Sequence, residues 1–172
     1  MGLGRGQGTV PADVKIDLRH LRLAALILAA LAMGMHFAHA LELWPKLNWD
    51  PALYIAVQST LYKLFGTIGP VLEVGALVVV SLLAWSLRER KRAFAFTFAS
   101  ACALGLALLT WALLVLPANG PLAEWAAAAT RNPPPDWKRF RDQWQIGQAF
   151  IFLVHLGGFS ALAWSIVSED GK

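Results

Sequence analysis

The chain has 172 residues and a net charge of +4; 57% of its residues are hydrophobic and only 15% are charged. Soluble domains carry about 25% charged residues, and one of this size could not hide so much apolar side chain from water, so a soluble fold is excluded. The basic residues flank apolar stretches and form no patch, which argues against nucleic-acid binding.

A single domain is the natural count. The lone cysteine, Cys102, lies in an apolar segment and reads as a small buried hydrophobe. A hydrocarbon core of about 30 Å takes roughly 20 residues to cross. Four stretches qualify: residues 21–43, 64–87, 93–116 and 144–166. The expected fold is all-α, an integral membrane four-helix bundle formed by residues 13–168, with a disordered tail at 1–12 and a short tail at 169–172. Arg5, Lys15, Arg19 and Arg22 precede the first span, and Arg88, Arg90, Lys91 and Arg92 fill the link between the second and third. By the positive-inside rule both groups lie in the cytoplasm, so both termini do too, and the expected location is the bacterial inner membrane.

The glycine-rich start to Pro11 has no apolar periodicity, and Asp13 to Leu23 continues the first helix into the cytoplasm. The first span contains Ala38-His39-Ala40, a small-x-small pattern that could mark signal cleavage. The many residues of mixed charge ahead of it favour a retained span. Near its outer end it carries His36, His39 and Glu42 at steps of three. Glu42 suits the headgroup level, whereas His36 lies about 10 Å deeper and calls for a partner. Trp44, Trp49 and Tyr54 read as interfacial anchors. Residues 51–64 have helical spacing and lead into the second span, where Glu73 is about 15 Å deep on a face shared with Gly66 and Gly69. A carboxylate there needs a partner or a proton and marks either a structural hydrogen bond or a functional site.

The third span, free of ionisable groups, reads as a packing helix that ends in a turn at Pro117-Ala118-Asn119-Gly120. Residues 122–130 form a short outer helix, stopped by Asn132 and Pro133 to Pro135. Asp136 is then placed as an N-cap. Steps of four and three from Trp137 align Arg141, Trp144, Gln148, Ile151 and His155 on one stripe of an otherwise apolar helix. That stripe must face protein or water.

Pooled across spans, His36, His39, Glu42, Glu73, Arg141, Gln148 and His155 fall in the outer half and can converge on one cavity. Three chemistries remain open. A metal site would take His36, His39 and Glu42 or Glu73. A b-type haem would take one first-span histidine and His155. A site without cofactor would use His and Glu as a base, with Trp111 and Trp144 against a flat organic molecule.

Three short motifs carry a family likeness: His39-Ala40-Leu41-Glu42-Leu43-Trp44-Pro45-Lys46, Pro117-Ala118-Asn119, and Asp136-Trp137 leading to Arg141-Asp142-Gln143-Trp144. In these, and in the position of Glu73, the chain resembles the four-span membrane proteins grouped with fungal anthrone oxygenases. The resemblance implies a four-helix membrane bundle whose characterised relatives oxidise anthrones to anthraquinones with molecular oxygen and no evident cofactor. The family pattern has a histidine four residues and an arginine seven residues after the tryptophan at position 144; here those positions are Gln148 and Ile151. Glutamine hydrogen-bonds but takes no proton, so the base would be another group, such as His155, or the chemistry would be lost.

The expectation is an oxidoreductase or oxygenase acting on a lipophilic aromatic or quinone-like molecule. His39, Glu42 and Glu73 would handle protons; Asn119, Trp144 and Gln148 would orient the substrate, with His36, Arg141 and His155 completing its binding site. The alternatives are a non-catalytic subunit bound to membrane-protein partners or to further copies of itself, and a b-type haem protein.

Overall fold

The structure, a computed structural model, describes residues 17–128 and 132–168. The expected tails at 1–12 and 169–172 lie outside those residues. Helix α1 (Leu18–Leu47) starts at Asp17, whose carboxylate accepts the Arg19 backbone N–H at 2.9 Å. Helix α2 (Pro51–Thr60) starts at Asp50, which accepts from Ala52 and Leu53, with Pro51 fixing the first turn. A 3-10 turn, Leu61–Lys63, joins it to α3 (Phe65–Ser86), and α4 (Lys91–Thr110) follows a short link. Helix α5 (Leu116–Ala127) and the long α6 (Trp137–Val167) complete the chain. Among the described residues there is no strand.

Four runs are long and apolar enough to cross a membrane: α1, α3, α4 continued through α5, and α6. The chain is an integral membrane protein, built as an all-α four-helix bundle. Each long helix packs on its chain neighbours, and α6 returns to α1, closing a ring. At the end holding the α1 start and the α3–α4 link, the core is Leu21, Ala25, Ala29, Ala76, Val80, Leu83, Leu104 and Leu162. Small residues let these helices approach: a Cβ on Gly158 would lie 2.8 Å from the Ala103 Cβ. Thr97 donates to Ser165 at 3.0 Å across the same α4–α6 seam. Val71, Val74, Val78, Leu109 and Leu153 point outward and suit lipid.

The expected turn at Pro117 is not there. The helix begun at Lys91 runs on to Ala127. Trp111–Val115 forms a π-turn in which the Leu116 N–H reaches the Trp111 carbonyl, so the wider turn absorbs the proline that follows. Gln143 of α6 donates to the Leu114 carbonyl within this segment at 2.8 Å. The expected outer helix at 122–130 is therefore the end of that longer run, its last residues lying outside those described. Past the π-turn, α5 packs on α2 and α6 and makes no more than marginal contact with α3. A gap is left between α3 and the third membrane helix in the upper half of the bundle.

Three smaller expectations also change. Asp136 stands at the α6 start but its side chain makes no capping bond; the Trp137 N–H bonds the Pro134 carbonyl instead. Tyr54 is no interfacial anchor, being fully buried against Trp137 in a cluster with Trp125 and Leu122 that roofs the bundle. Cys102 is exposed on the outer face of α4, because a thiol asks for no polar partner and sits as well against lipid as in a core.

Candidate functional site

Beneath that roof is a cavity of about 700 Å³, within the 300–1,000 Å³ range typical of small-molecule sites. Its walls are mostly apolar, with a few polar groups converging from separate helices. The helix pitch puts His36 and His39 of α1 on the inner face, one turn apart. On α6, Trp144, Gln148 and His155 follow the buried stripe. On α3, Gly66, Gly69, Pro70 and Glu73 line the wall. A Cβ on Gly69 would come within 3.1 Å of the Met35 Cε, the tip of a flexible α1 side chain, so α3 packs against α1 at this level.

That approach brings Glu73 to two histidines. His36 Nε2 is 2.8 Å from Glu73 Oε1, and His155 Nε2 is 3.1 Å from Oε2. The imidazole rings stack at 5.0 Å and 24°. His36 Nδ1 is 2.7 Å from Gln148 Oε1. One carboxylate thus bridges two helices' histidines, with all three side chains nearly out of solvent. Because the Gln148 oxygen can only accept, His36 Nδ1 carries the proton there. Its Nε2 then faces a carboxylate oxygen, and a proton must lie between them. His155 Nδ1, on the far side, has no hydrogen-bond partner among the described residues.

A second cluster lies one to three turns further out on α1. His39 lines the cavity inside a box of Tyr62, Phe65 and Trp144 rings, each centred about 5–6 Å from a neighbour. Its Nδ1 is 3.5 Å from Glu42 Oε2, an ion-pair distance and too long for a good hydrogen bond. Glu42 accepts from the Tyr62 hydroxyl and holds Lys46 at 2.8 Å. Lys46 is completely buried, its ammonium 3.8 Å from the Tyr62 ring centre. Burial, then the Glu42 carboxylate, pushes the Tyr62 phenol far up. Burial raises Tyr54 to about 12. Both phenols therefore remain neutral donors near neutral pH.

His36, His39, Glu73, Asn119, Trp144 and Gln148, each expected at the site, line the one cavity. The Trp144 indole donates to Asn119 Oδ1 at 2.8 Å, locking two of them together. His155 stands behind Glu73 and supports it. Glu42 and Arg141 do not face the cavity. Arg141 is buried over the Trp137 ring at 4.8 Å and pairs with Asp142 at 2.7 Å, within the roof. The expected metal set of His36 and His39 with Glu42 or Glu73 is not assembled among the described residues, because His39 sits with Glu42 in a cluster of its own while Glu73 meets His36 and His155. Sequence reasoning missed Lys46, Tyr62 and Gln58. Glu42 and Lys46 are four apart on one helix, a spacing that signals a pair. No family model, curated protein or solved structure matches this chain.

Proposed function

We propose that the protein is a membrane-embedded enzyme that binds a flat, lipophilic, hydrogen-bonding molecule of the hydroxyaromatic or quinone type and moves a proton from it. The observation that carries this reading is the Glu73 carboxylate shared by His36 and His155 at the wall of an apolar cavity. A base buried between two imidazoles is held in place and kept from bulk water, which suits abstraction of a weakly acidic proton from an apolar substrate. Trp111 and Trp144 offer ring faces; Gln148 and Asn119 fix polar groups. His39 would pass protons outward toward Glu42.

The resemblance to anthrone oxygenases supplies the reaction class. Loss of the proton from an anthrone's ring methylene gives an electron-rich anion that reacts with oxygen. One oxygen atom stays as the new quinone carbonyl and the other leaves as water. A haem is less well accommodated, since His36 and His155 stack on one another with no slot for a macrocycle between them. The basic residues Arg19, Arg88 and Lys91 cluster at the opposite end from the cavity, which supports a cytoplasmic position for that end and an outward-facing site.

Oxygen uptake with anthrone by the purified protein tests the reading. General-base catalysis contributes about 10²–10⁴-fold, so Glu73→Gln should lower turnover by at least a hundredfold while leaving a folded protein by circular dichroism. Equal rates in the variant and the parent protein would remove the proposal.

A further inference from the structure

We propose that His36, Glu73 and His155 also form a site for one divalent transition-metal ion, zinc or iron(II), with an open position turned to the cavity. This rests on the acid–base reading of the same site for the position of the lipophilic molecule; with the ion bound, Glu73 is a ligand, and its role as a free base belongs to the metal-free protein. Three ligands from three helices converge here, and their candidate ligand atoms lie within 4.8 Å of one another. Bonds of about 2.1 Å in a tetrahedral shell put ligand atoms roughly 3.4 Å apart. The two histidine–carboxylate contacts, at 2.8 and 3.1 Å, lie a few tenths of an ångström inside that spacing.

Two features favour a cation. His36 Nδ1 donates to Gln148 Oε1 at 2.7 Å, which leaves the Nε2 lone pair aimed at the Glu73 carboxylate. Two electron-rich atoms facing each other need a positive centre between them, which a proton supplies at this hydrogen-bond distance and a bound metal ion would displace. A metal-bound histidine commonly donates its other N–H to an oxygen in this way. Two imidazoles and one carboxylate are also a donor set that suits zinc and iron.

Charge then limits the fourth ligand. A dication with the single Glu73 carboxylate carries a net positive charge, which is costly at this depth in a bilayer. One anionic ligand brings the centre to neutrality. Glu73 and His36 line the cavity, so that ligand comes from there. Hydroxide would serve in the resting site; a phenol or enol of the lipophilic molecule would give its proton to that hydroxide, which leaves as water, and bind through its oxygen. The inferred ligand class is therefore an acidic hydroxyaromatic bound through oxygen.

Cobalt(II) titration of chelator-treated protein in detergent tests this, because tetrahedral cobalt gives visible absorption. One equivalent per chain should bind. Glu73→Gln and His155→Asn should each weaken binding by at least a hundredfold, and Gln148→Ala by 10–100-fold through loss of ring orientation. His20→Ala, at an exposed histidine, should change nothing. Folding of each variant is checked by circular dichroism; if Glu73→Gln does not fold, the milder Gln148→Ala decides. Sub-stoichiometric cobalt binding, or binding indifferent to Gln148 and His155, overturns the metal site. Anthrone quenching of tryptophan fluorescence in the metal-free protein separates the two readings: if it persists without cobalt binding, only the metal falls, and if it is absent while cobalt binds, the acid–base reading falls.

Discussion

A lysine ammonium with no exposed surface needs an anion and polarisable neighbours, and Lys46 has Glu42 at 2.8 Å and the Tyr62 and Trp144 rings beside it. Breaking a fully buried pair costs about 3–5 kcal/mol. Glu42 is a third exposed, so water recovers part of its loss in Lys46→Met, and the expected destabilisation is about 1–3 kcal/mol. The double variant Lys46→Met/Glu42→Gln should be more stable than the single, since no charge is stranded. Thermal unfolding in detergent, run as a double-mutant cycle, reads both values. The pair was readable in the sequence from its spacing of four, but its burial was not. Burial depends on α2 and the Leu61–Lys63 turn folding back over the α1 end, a long-range event that leaves no local pattern. Glu73 is the reverse case. A carboxylate deep in an apolar span announces a partner, although nothing in the sequence says that both His36 and His155 share it.

At the scale of the element, the α3 wall shows what glycine contributes. A Cβ on Gly66 would meet nothing within 4 Å, because this residue faces the cavity. Gly66→Phe should therefore fill the site without strain. Anthrone binding, followed by tryptophan quenching, should weaken at least tenfold while the melting temperature stays within a few degrees. A comparable loss of stability would mean that the space is packed in solution. The stripe on α6 was legible because a 3.6-residue period leaves a clear record, and the buried Trp144, Gln148 and His155 follow it. The course of the third helix was not legible. Pro117 reads locally as a stop, and only the π-turn before it, braced by Gln143 from α6, lets the helix continue. Local turn chemistry lost there to a tertiary contact.

For the whole molecule, the four spans were fixed by length and hydropathy, while their closure into a ring with a hollow upper half came from packing. An even number of spans places both ends of the bundle on one side. If the positive-inside rule governs, reporter fusions at the C-terminus should fluoresce as a cytoplasmic GFP and be inactive as alkaline phosphatase, with the opposite result for an insertion at the α1–α2 connection. Reversal of both signals would turn the cavity toward the cytoplasm and leave its chemistry unchanged.

The space between α3 and the third membrane helix has a kinetic consequence. With α2, α5 and the Tyr54–Trp137 cluster closing the top, this side of the cavity is walled by Gly69 and Pro70 of α3 and by Leu108 and Trp111 of the third membrane helix, and the exposed Ile68, Val71, Leu109 and Leu113 of the same helices are side chains that mix with acyl tails. A compound taking that path is sampled by its mole fraction in the amphiphile phase, not by its molarity in buffer. Adding detergent micelles or empty liposomes at constant total compound should therefore raise the apparent KM in proportion to amphiphile, with kcat unchanged. Insensitivity to such dilution would point to uptake from water through the roof.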